Sequence, residues 1–351
     1  MSGGIVWRPS RFRHCREQDR GHMRHTPRGC RGRVTVGEPR IIGQMKPRDM
    51  LTLIALAAVW GASFLFLRVA APVVGPVGVA AARVSLAAVL LGLALLATRQ
   101  AVPSRHSWPD LMVSALLSCV LPALCLGQAA LSLPAGMMSI LNATTPLWGV
   151  MVGWIWSRQA PSRVVVGGML AGLLGVGILT GPGHIAYTPT SAGGSGVGPV
   201  LLILVATLSY AISVHHARRR LQHLSPLALC AGTMVLASAC LLGPAWFIGP
   251  AGLPSGHWSD VPAAAWGAMF ALGAVCTALA YTVFFQLIQR LGPTPALTVT
   301  FLIPVFGMLW GALFLSETIT PPMLLGTAII AWGTWQSARA PASPPAVHQV
   351  T

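Results

Sequence analysis

The sequence predicts an all-α polytopic membrane protein in which ten transmembrane helices form two inverted five-helix repeats. Three observations support this fold class: the composition, a self-match between the two halves, and the side on which the loop charges fall. Only 9% of the 351 residues are charged and 54% are hydrophobic. A water-soluble surface of ordinary size cannot be built from such a chain, so its solvent must be lipid.

Apolar windows bounded by proline, glycine and charge define the predicted helices. They cover 50–70, 76–97, 109–129, 134–156 and 164–180, then 198–217, 226–248, 262–287, 293–315 and 321–338. The apolar runs are continuous, which favours helices over the alternating strands of a barrel. The predicted domains are a basic tail at 1–47, a first repeat at 48–180, a linker at 181–197, a second repeat at 198–338 and a carboxy-terminal tail at 339–351.

The amino-terminal tail carries much of the net charge of +16, because ten of the 23 Lys and Arg residues precede residue 45. A misassigned start is the favoured interpretation, with Met45 or Met50 as the true first residue. A disordered basic tail near anionic headgroups stays open as an alternative. So does a metal site, although its spacing matches no zinc pattern. The residues for that site are His14, Cys15, His22, His25 and Cys30.

The loop charges predict the orientation, because Lys and Arg are enriched on the cytoplasmic side. With a cytoplasmic amino terminus they fall in the inside segments, and the outside loops hold none apart from Arg68 near the end of helix 1. Asp260 and Glu317 then lie outside. We therefore expect a multi-pass protein of the cytoplasmic (inner) membrane with both termini in the cytoplasm.

The second half of the chain matches the first at a fixed shift. At a shift of 158 the matched pairs are Trp108 and Trp266, Gln128 and Gln286, Pro146 and Pro304, Gly149 and Gly307, Gly153 and Gly311, Gly168 and Gly326, and Gly175 and Gly333. At a shift of 150 they are Trp60 and Tyr210, Arg68 and Arg218, and Pro76 and Pro226. Five crossings are an odd number, so the second repeat is inverted, as in secondary transporters that work by alternating access. The glycine pairs are expected to permit close helix packing.

Candidate substrate-pathway residues are polar, aromatic or proline residues inside the predicted helices. They are Trp60, Arg83, Asn142, Thr145, Pro146, Tyr210, Tyr281, Thr300 and Pro304. Arg83 has no acid in its own helix, so it should either recognise an anion in the pathway or order helix packing. Pro146 and Pro304 are expected to remove a mid-helix hydrogen bond, for gating or as simple kinks. The threonines could instead bond their own helix, and the aromatic rings could be interface anchors.

Signatures of catalysis are missing from the sequence, which has no GxSxG, HExxH or paired carboxylates. Neither an enzyme, nor a cofactor, nor a metal is therefore predicted. No Asp or Glu falls within the hydrocarbon depth of any predicted helix, so transport should be facilitated or coupled through another group. The expected partners are the lipid bilayer and a small-molecule substrate, with no nucleic acid, and a homodimer stays open. The alternatives are a non-transporting receptor or assembly protein and, less favoured, an intramembrane enzyme.

Two segments near the start, WGASFLFLRVA and AAARVSLAAVLL, resemble the opening of EamA-like members of the drug/metabolite transporter superfamily. SILNATTPLWGVMVGWIWSRQ and TVTFLIPVFGMLWGALFLSET resemble the later part of each repeat, so the resemblance covers about residues 48–338. It implies ten helices, a central cavity between the halves and, commonly, export of amino acids, related metabolites or drugs. The family often has Glu before the fifth helix of each repeat. This chain has Glu317 but Gln159, which puts one loop contact in doubt.

Overall fold

The computed structural model describes residues 46–158, 162–179, 197–291, 296 and 298–338, and no strand occurs among them. Contacts divide the chain into Met1–Pro39 and Arg40–Thr351. The predictions for the basic tail, for residues 181–196 of the linker and for the carboxy-terminal tail lie outside the described residues.

Helical elements are named α1 to α10 in chain order. They are α1 (Pro47–Ala97), α2 (Arg105–Ala129), α3 (Ala135–Asn142), α4 (Thr145–Ser157), α5 (Arg163–Leu179), α6 (Val197–Arg220), α7 (Pro226–Ile248), α8 (Ala263–Leu291), α9 (Val299–Leu315) and α10 (Pro321–Ala338). Within the described part of the chain, α1, α2, α6, α7 and α8 are long and apolar enough to cross a membrane, and α5 and α9 are shorter apolar helices. An all-helical membrane protein is thus confirmed, whereas the count of ten crossings stays a prediction.

The boundary between predicted helices 1 and 2 is a single residue and not a loop. Both helices belong to α1, which is interrupted at Gly75, where φ is 76° and ψ is 165°. Glycine adopts this φ without a steric penalty, and the nearby Pro72 and Pro76 cannot donate helical hydrogen bonds. The loop after α7 covers the interruption, because Gly252 N donates to the Val73 carbonyl at 3.1 Å.

The predicted helix 134–156 is in fact two helices, α3 and α4, so the mid-helix position expected for Pro146 is wrong. Pro146 lies in the first turn of α4. A proline ring clashes with the carbonyl four residues earlier, here that of Asn142. That carbonyl instead accepts a hydrogen bond from Thr145 Oγ1 at 2.7 Å. Pro304, in contrast, does lie inside a helix, α9.

The glycine pairs let α5 and α10 pack backbone to backbone. A Cβ on Gly175 would lie 3.1 Å from the Gly326 carbonyl oxygen, and a Cβ on Gly333 would clash with the Gly168 carbonyl. The predicted packing role is confirmed for these two pairs. It is wrong for Gly149, where a Cβ would point into open space.

Candidate functional site

Two π-helical turns lie at matched positions of the two halves. One is Leu116–Val120 in α2, and the other is Ala271–Leu279 in α8. At the shift of 158 the first turn falls on 274–278, inside the second. π turns in helices are frequent at functional sites. Their coincidence in both halves therefore draws attention to the residues that contact them.

The π turn of α8 contacts both parts of α1. Arg83 Nε donates to Thr277 Oγ1 at 3.0 Å, and the Thr277 hydroxyl donates to the Leu272 carbonyl at 2.7 Å. Because the hydroxyl proton is committed to Leu272, the Thr277 oxygen is presented to Arg83 as an acceptor. Before the Gly75 interruption, the Val59 carbonyl accepts from Cys276 Sγ at 3.2 Å.

The π turn of α2 contacts α6 and α7 in a similar way. Ser209 Oγ on α6 donates to the Leu117 carbonyl at 2.6 Å. Cys119 Sγ donates to Met234 Sδ on α7 at 4.0 Å. Each π turn is therefore held by helices of the opposite half of the chain.

Several residues in the two sets of contacts are repeat counterparts. At a shift of 150, Val59 corresponds to Ser209 and Arg83 corresponds to Thr233. At a shift of 158, Cys119 corresponds to Thr277. The pseudo-symmetry is thus expressed in contacts as well as in sequence. It is broken in one respect, because the Arg83 guanidinium bonds the opposite half, whereas the hydroxyl of its counterpart Thr233 bonds carbonyls of its own helix.

Aromatic side chains lie next to the residues that contact the π turns. The Trp60 ring lies edge-on to Tyr281 and Phe284, with centroid distances of 6.0 and 5.1 Å. The counterparts Trp60 and Tyr210 each follow a residue that bonds a π turn, Val59 and Ser209 respectively, and Tyr281 lies one helical turn after Thr277. We define the central cluster as Trp60, Arg83, Tyr210, Thr277 and Tyr281. Four of its members are predicted pathway residues, and each of those four is half-buried.

The other five predicted pathway residues lie on α3, α4 and α9: Asn142, Thr145, Pro146, Thr300 and Pro304. Thr145 bonds its own helix, as noted above, which is the alternative that the sequence left open for threonines. The adjacent Thr144 Oγ1 lies 3.4 Å from Thr207 Oγ1 on α6, one turn before Tyr210. The junction of α3 and α4 therefore contacts the second half near the central cluster, and the pathway role of these five residues stays a prediction.

A second polar group joins the two halves at another place, and the sequence interpretation missed it. Glu317, which follows α9, accepts hydrogen bonds from Ala135 N at 2.9 Å and from Gly136 N at 3.3 Å. Its Oε1 lies 3.7 Å from Arg68 Nε, and Arg68 Nη1 donates to the Ala130 carbonyl at 2.7 Å. The carboxylate thus caps the amino terminus of α3, where backbone N–H groups lack helical partners. We call Arg68, Ala135, Gly136 and Glu317 the Glu317 cap.

The sequence predicts Glu317 as a loop residue outside the membrane, whereas its side chain is only 13% exposed. It folds back because Gly311 has no side chain, and a Cβ there would clash with Glu317 Oε2. One signal could have found this contact. Arg68 is the one basic residue in the predicted outside segments of the two repeats, and it needs an acid nearby.

The other described acids lie at helix ends or in a loop. Asp49 Oδ1 lies 3.9 Å from Arg290 Nη1, and Asp110 Oδ1 lies 3.3 Å from His216 Nε2. Asp260 lies in the exposed loop before α8. Hydrogen bonds from Ser255 and Ser259 hold the pKa of the Asp260 carboxyl below its usual value.

Two cavities lie apart from the central cluster. The larger, of about 500 Å³, is an apolar groove between α1, α8 and α9 that is lined by Phe66, Trp310 and other apolar side chains. The smaller, of about 320 Å³, is lined by Pro76, Gln128 and Leu202 among others. Pro76 is seven residues before Arg83, which is about 10 Å along a helix. The smaller cavity is thus the nearer of the two to Arg83 along α1.

Comparison with known proteins gives consistent matches over both halves. The sequence profile of the EamA-like transporter family matches residues 48–181 and 198–338. The uncharacterized transporter YvbV of Bacillus subtilis is 25% identical over 291 residues, which cover 81% of this chain and 90% of the relative. The uncharacterized inner membrane transporter YedA of Escherichia coli is 25% identical over 287 residues, with 79% and 86% covered. One crystal structure, 18% identical, aligns with a TM-score of 0.58 over 84% of this chain and 98% of that chain, which shows the fold alone.

Proposed function

Because the chain belongs to the EamA-like transporter family, we propose that it is a secondary transporter that exports small metabolites or drugs across the cytoplasmic membrane by alternating access. One observation carries this proposal: the contacts at the two π turns are repeated between the halves. Thr277 bonds Arg83 on α1, and its counterpart Cys119 bonds Met234 on α7, so each contact joins helices of opposite halves.

Inverted repeats support alternating access for an energetic reason. If the two halves exchange conformations, the second state has the same kinds of contacts as the first, so the two states have similar free energies. The central cluster lies on the helices that carry these contacts. We therefore assign the substrate site to this cluster, with repeats at 48–180 and 198–338 as the two exchanging units.

The orientation in this proposal follows the loop charges, with both termini in the cytoplasm. The Glu317 cap then lies at the outer side and joins the two halves there. A carrier joined at its outer side exchanges substrate with the cytoplasm, which is the loading step of the proposed export. Reporter fusions after Arg105, Ser191 and Arg219 should report inside, outside and inside. Any other order contradicts this orientation.

Transport itself is tested by solute counterflow in proteoliposomes, with a panel of amino acids, related metabolites and drugs. A Gly311→Cys and Ala135→Cys pair provides the sharpest version, because a Cβ on Gly311 would lie 3.6 Å from the Ala135 Cβ across the halves, within the range of a disulfide. Oxidation should cross-link the pair and stop counterflow, and a reductant should restore it. Each single variant, treated with the same oxidant, is the matched control.

Two outcomes would contradict the proposal. Counterflow that continues in the cross-linked protein would show that the halves need not separate at the Glu317 cap. A protein that shows no counterflow with any member of the panel would instead favour a non-transporting receptor or assembly protein.

A further inference from the structure

Arg83 is a cation without an acidic partner in the described structure. The whole sequence has only seven Asp and Glu residues, and three of them, Glu17, Asp19 and Glu38, lie in the amino-terminal tail. The remaining four are placed elsewhere: Asp49 is near Arg290, Asp110 near His216, Glu317 near Arg68, and Asp260 beside Ser259. A membrane-depth arginine that lacks an acid is expected to face a polar ligand or a wet cavity.

The hydrogen bond to Thr277 fixes the guanidinium by one edge. Only Nε is used, because it donates to Thr277 Oγ1 at 3.0 Å. The two terminal nitrogens have no hydrogen-bond partner among the residues that the structure describes. A guanidinium held in this way presents a planar fork of N–H donors, which matches the two oxygens of a carboxylate.

The position of Thr277 is itself set by the π turn. Its hydroxyl donates to the carbonyl of Leu272, five residues earlier, which is the spacing of a π turn and not of an α-helix. The absence of a side chain at Gly273 lets α8 approach α1 closely, since a Cβ there would lie 3.0 Å from the Arg83 carbonyl oxygen. Thr277 is therefore a positioning residue for Arg83.

The surroundings indicate the rest of the ligand. Trp60, Tyr281 and Phe284 form an aromatic cluster that begins one helical turn after Thr277, the hydrogen-bond partner of Arg83. The repeat counterpart of Arg83 is the neutral Thr233, so the pseudo-symmetric centre carries one positive charge and not two. One cation compensates a monoanion, whereas a phosphate monoester with nearly two negative charges would leave charge uncompensated in a low-dielectric site.

We infer that Arg83 binds the carboxylate of the transported molecule, and that the substrates are monoanionic carboxylates with an aromatic or apolar body. The inference rests on the proposed transport function, because it places the ligand in the transport site. It goes beyond that function by naming the chemical class of the substrate and the group that recognises it.

The test compares three probes of nearly the same shape on the purified full-length protein: phenylacetate, phenylacetamide and phenyl phosphate. Binding is measured by calorimetry or by the ligand-induced rise in melting temperature. We expect phenylacetate to bind wild type about tenfold to a hundredfold more tightly than phenylacetamide, because the amide loses the charge-assisted pair. Equal binding of acid and amide, or tighter binding of phenyl phosphate, overturns the inference.

Substitutions test whether Arg83 causes the preference for the acid over the amide. Arg83→Gln should reduce the acid-to-amide ratio to about twofold or less, and Arg83→Lys should keep part of it, because a charge remains without the fork. Thr277→Val should lower the ratio while leaving the charge in place. Arg105→Gln removes an equal charge at an exposed position and should leave the ratio unchanged. A wild-type ratio in Arg83→Gln overturns the inference, and Arg83→Lys decides the matter if the glutamine variant does not fold.

Counterflow separates this inference from the proposed function. If the protein transports neutral or cationic solutes and shows no preference for carboxylates, the transporter proposal stands and the substrate class is wrong. If phenylacetate binds in an Arg83-dependent manner but no solute of the panel shows counterflow, the carboxylate site stands and the transport proposal fails.

Discussion

After α4 the chain turns at Arg158, and after α9 it turns at Ser316, with left-handed φ values of 55° and 56°. These two residues are counterparts at the shift of 158, and so are Gly153 and Gly311 before them. At Gly311 the open space is filled by the carboxylate of Glu317. At Gly153 it is filled by a side chain from α6, because a Cβ there would lie 3.1 Å from His215 Nε2.

The side chains around these two turns use different chemistry. The Glu317 cap combines an ion pair with two backbone hydrogen bonds. Around Gly153, the Trp156 ring lies 5.7 Å from the His215 ring, and the Arg219 guanidinium lies 4.9 Å above Trp156. Gln159, the counterpart of Glu317, lies outside the described residues.

The comparison shows that the duplicated feature is the backbone: a glycine five residues before a left-handed residue. That backbone makes room for a side chain, and each half fills the room with a different partner. One turn therefore depends on a carboxylate and the other on a cation above a ring. Their sensitivity to substitution should differ accordingly.

Glu317→Ala should have the largest effect on stability. It removes the acceptor for Ala135 N and Gly136 N and leaves the part-buried Arg68 without an acid. We expect a loss of about 2–4 kcal/mol in the free energy of unfolding, measured by detergent-induced unfolding. Asp260→Ala is the control, because it removes an equal charge from an exposed loop. Equal effects of the two variants would show that the cap does not stabilise the fold.

Gly311 and Gly153 offer a matched pair of substitutions, and the larger of their expected effects is smaller than that of Glu317→Ala. Gly311→Ala should displace the Glu317 carboxylate and cost about 1–3 kcal/mol, whereas Gly153→Ala needs only a small shift of His215 and should cost less than about 1 kcal/mol. Unfolding measurements on both variants give the comparison. In a Glu317→Ala background the penalty of Gly311→Ala should largely vanish. An undiminished penalty would mean that the methyl group clashes with something else.

Arg68→Gln should cost about 1–2 kcal/mol, because it removes the hydrogen bond to the Ala130 carbonyl and the charge near Glu317. The cap on α3 would remain, so the loss should be smaller than for Glu317→Ala. Its repeat counterpart Arg218 is exposed, and Arg218→Gln should change stability by less than about 0.5 kcal/mol. A larger loss of stability in Arg218→Gln than in Arg68→Gln would contradict the expectation that only the arginine near Glu317 stabilises the fold.

Arg219→Gln should have the smallest effect, about 0.5–1 kcal/mol, since a cation above an exposed ring contributes little. The same unfolding measurement applies, with the exposed neighbour Arg220→Gln as control. If Arg219→Gln were as damaging as Glu317→Ala, the two turns would not differ in the way described.

Much of the architecture could be predicted from periodicity and self-matching. The grouping of Trp60, Arg83, Tyr210 and Tyr281 followed from their positions inside apolar helices, where polar or aromatic groups need a shared environment. The two-part helix formed by α3 and α4 could be predicted only in part. Pro146 indicated that the helix is disturbed there, but a kink and a complete break give the same sequence signal. Only the structure shows the break, in which the hydroxyls of Thr144 and Thr145 bond carbonyls at the end of α3.

Two features could not be predicted. Glu317 and Ala135 are far apart in the chain, and an acid in a loop has the same local sequence whether it faces water or a helix end. The π turns have no residue signature of their own. The only available signal was that the small polar residues Cys119 and Thr277 match at the shift of 158.

The π turns have a mechanical consequence for the helices that contain them. Each turn accommodates extra chain relative to an α-helix, and one residue more or fewer rotates everything beyond it by about 100°. Deleting one residue from Leu116–Val120 would therefore rotate the buried Leu126 and Ala129 away from the core that they now face. The shift of 158 holds on both sides of the turns, at Trp108 and Trp266 and at Gln128 and Gln286, so both halves have the same number of residues across them. Chain length within the turn, and not only side-chain identity, keeps the end of α2 in register with its neighbours.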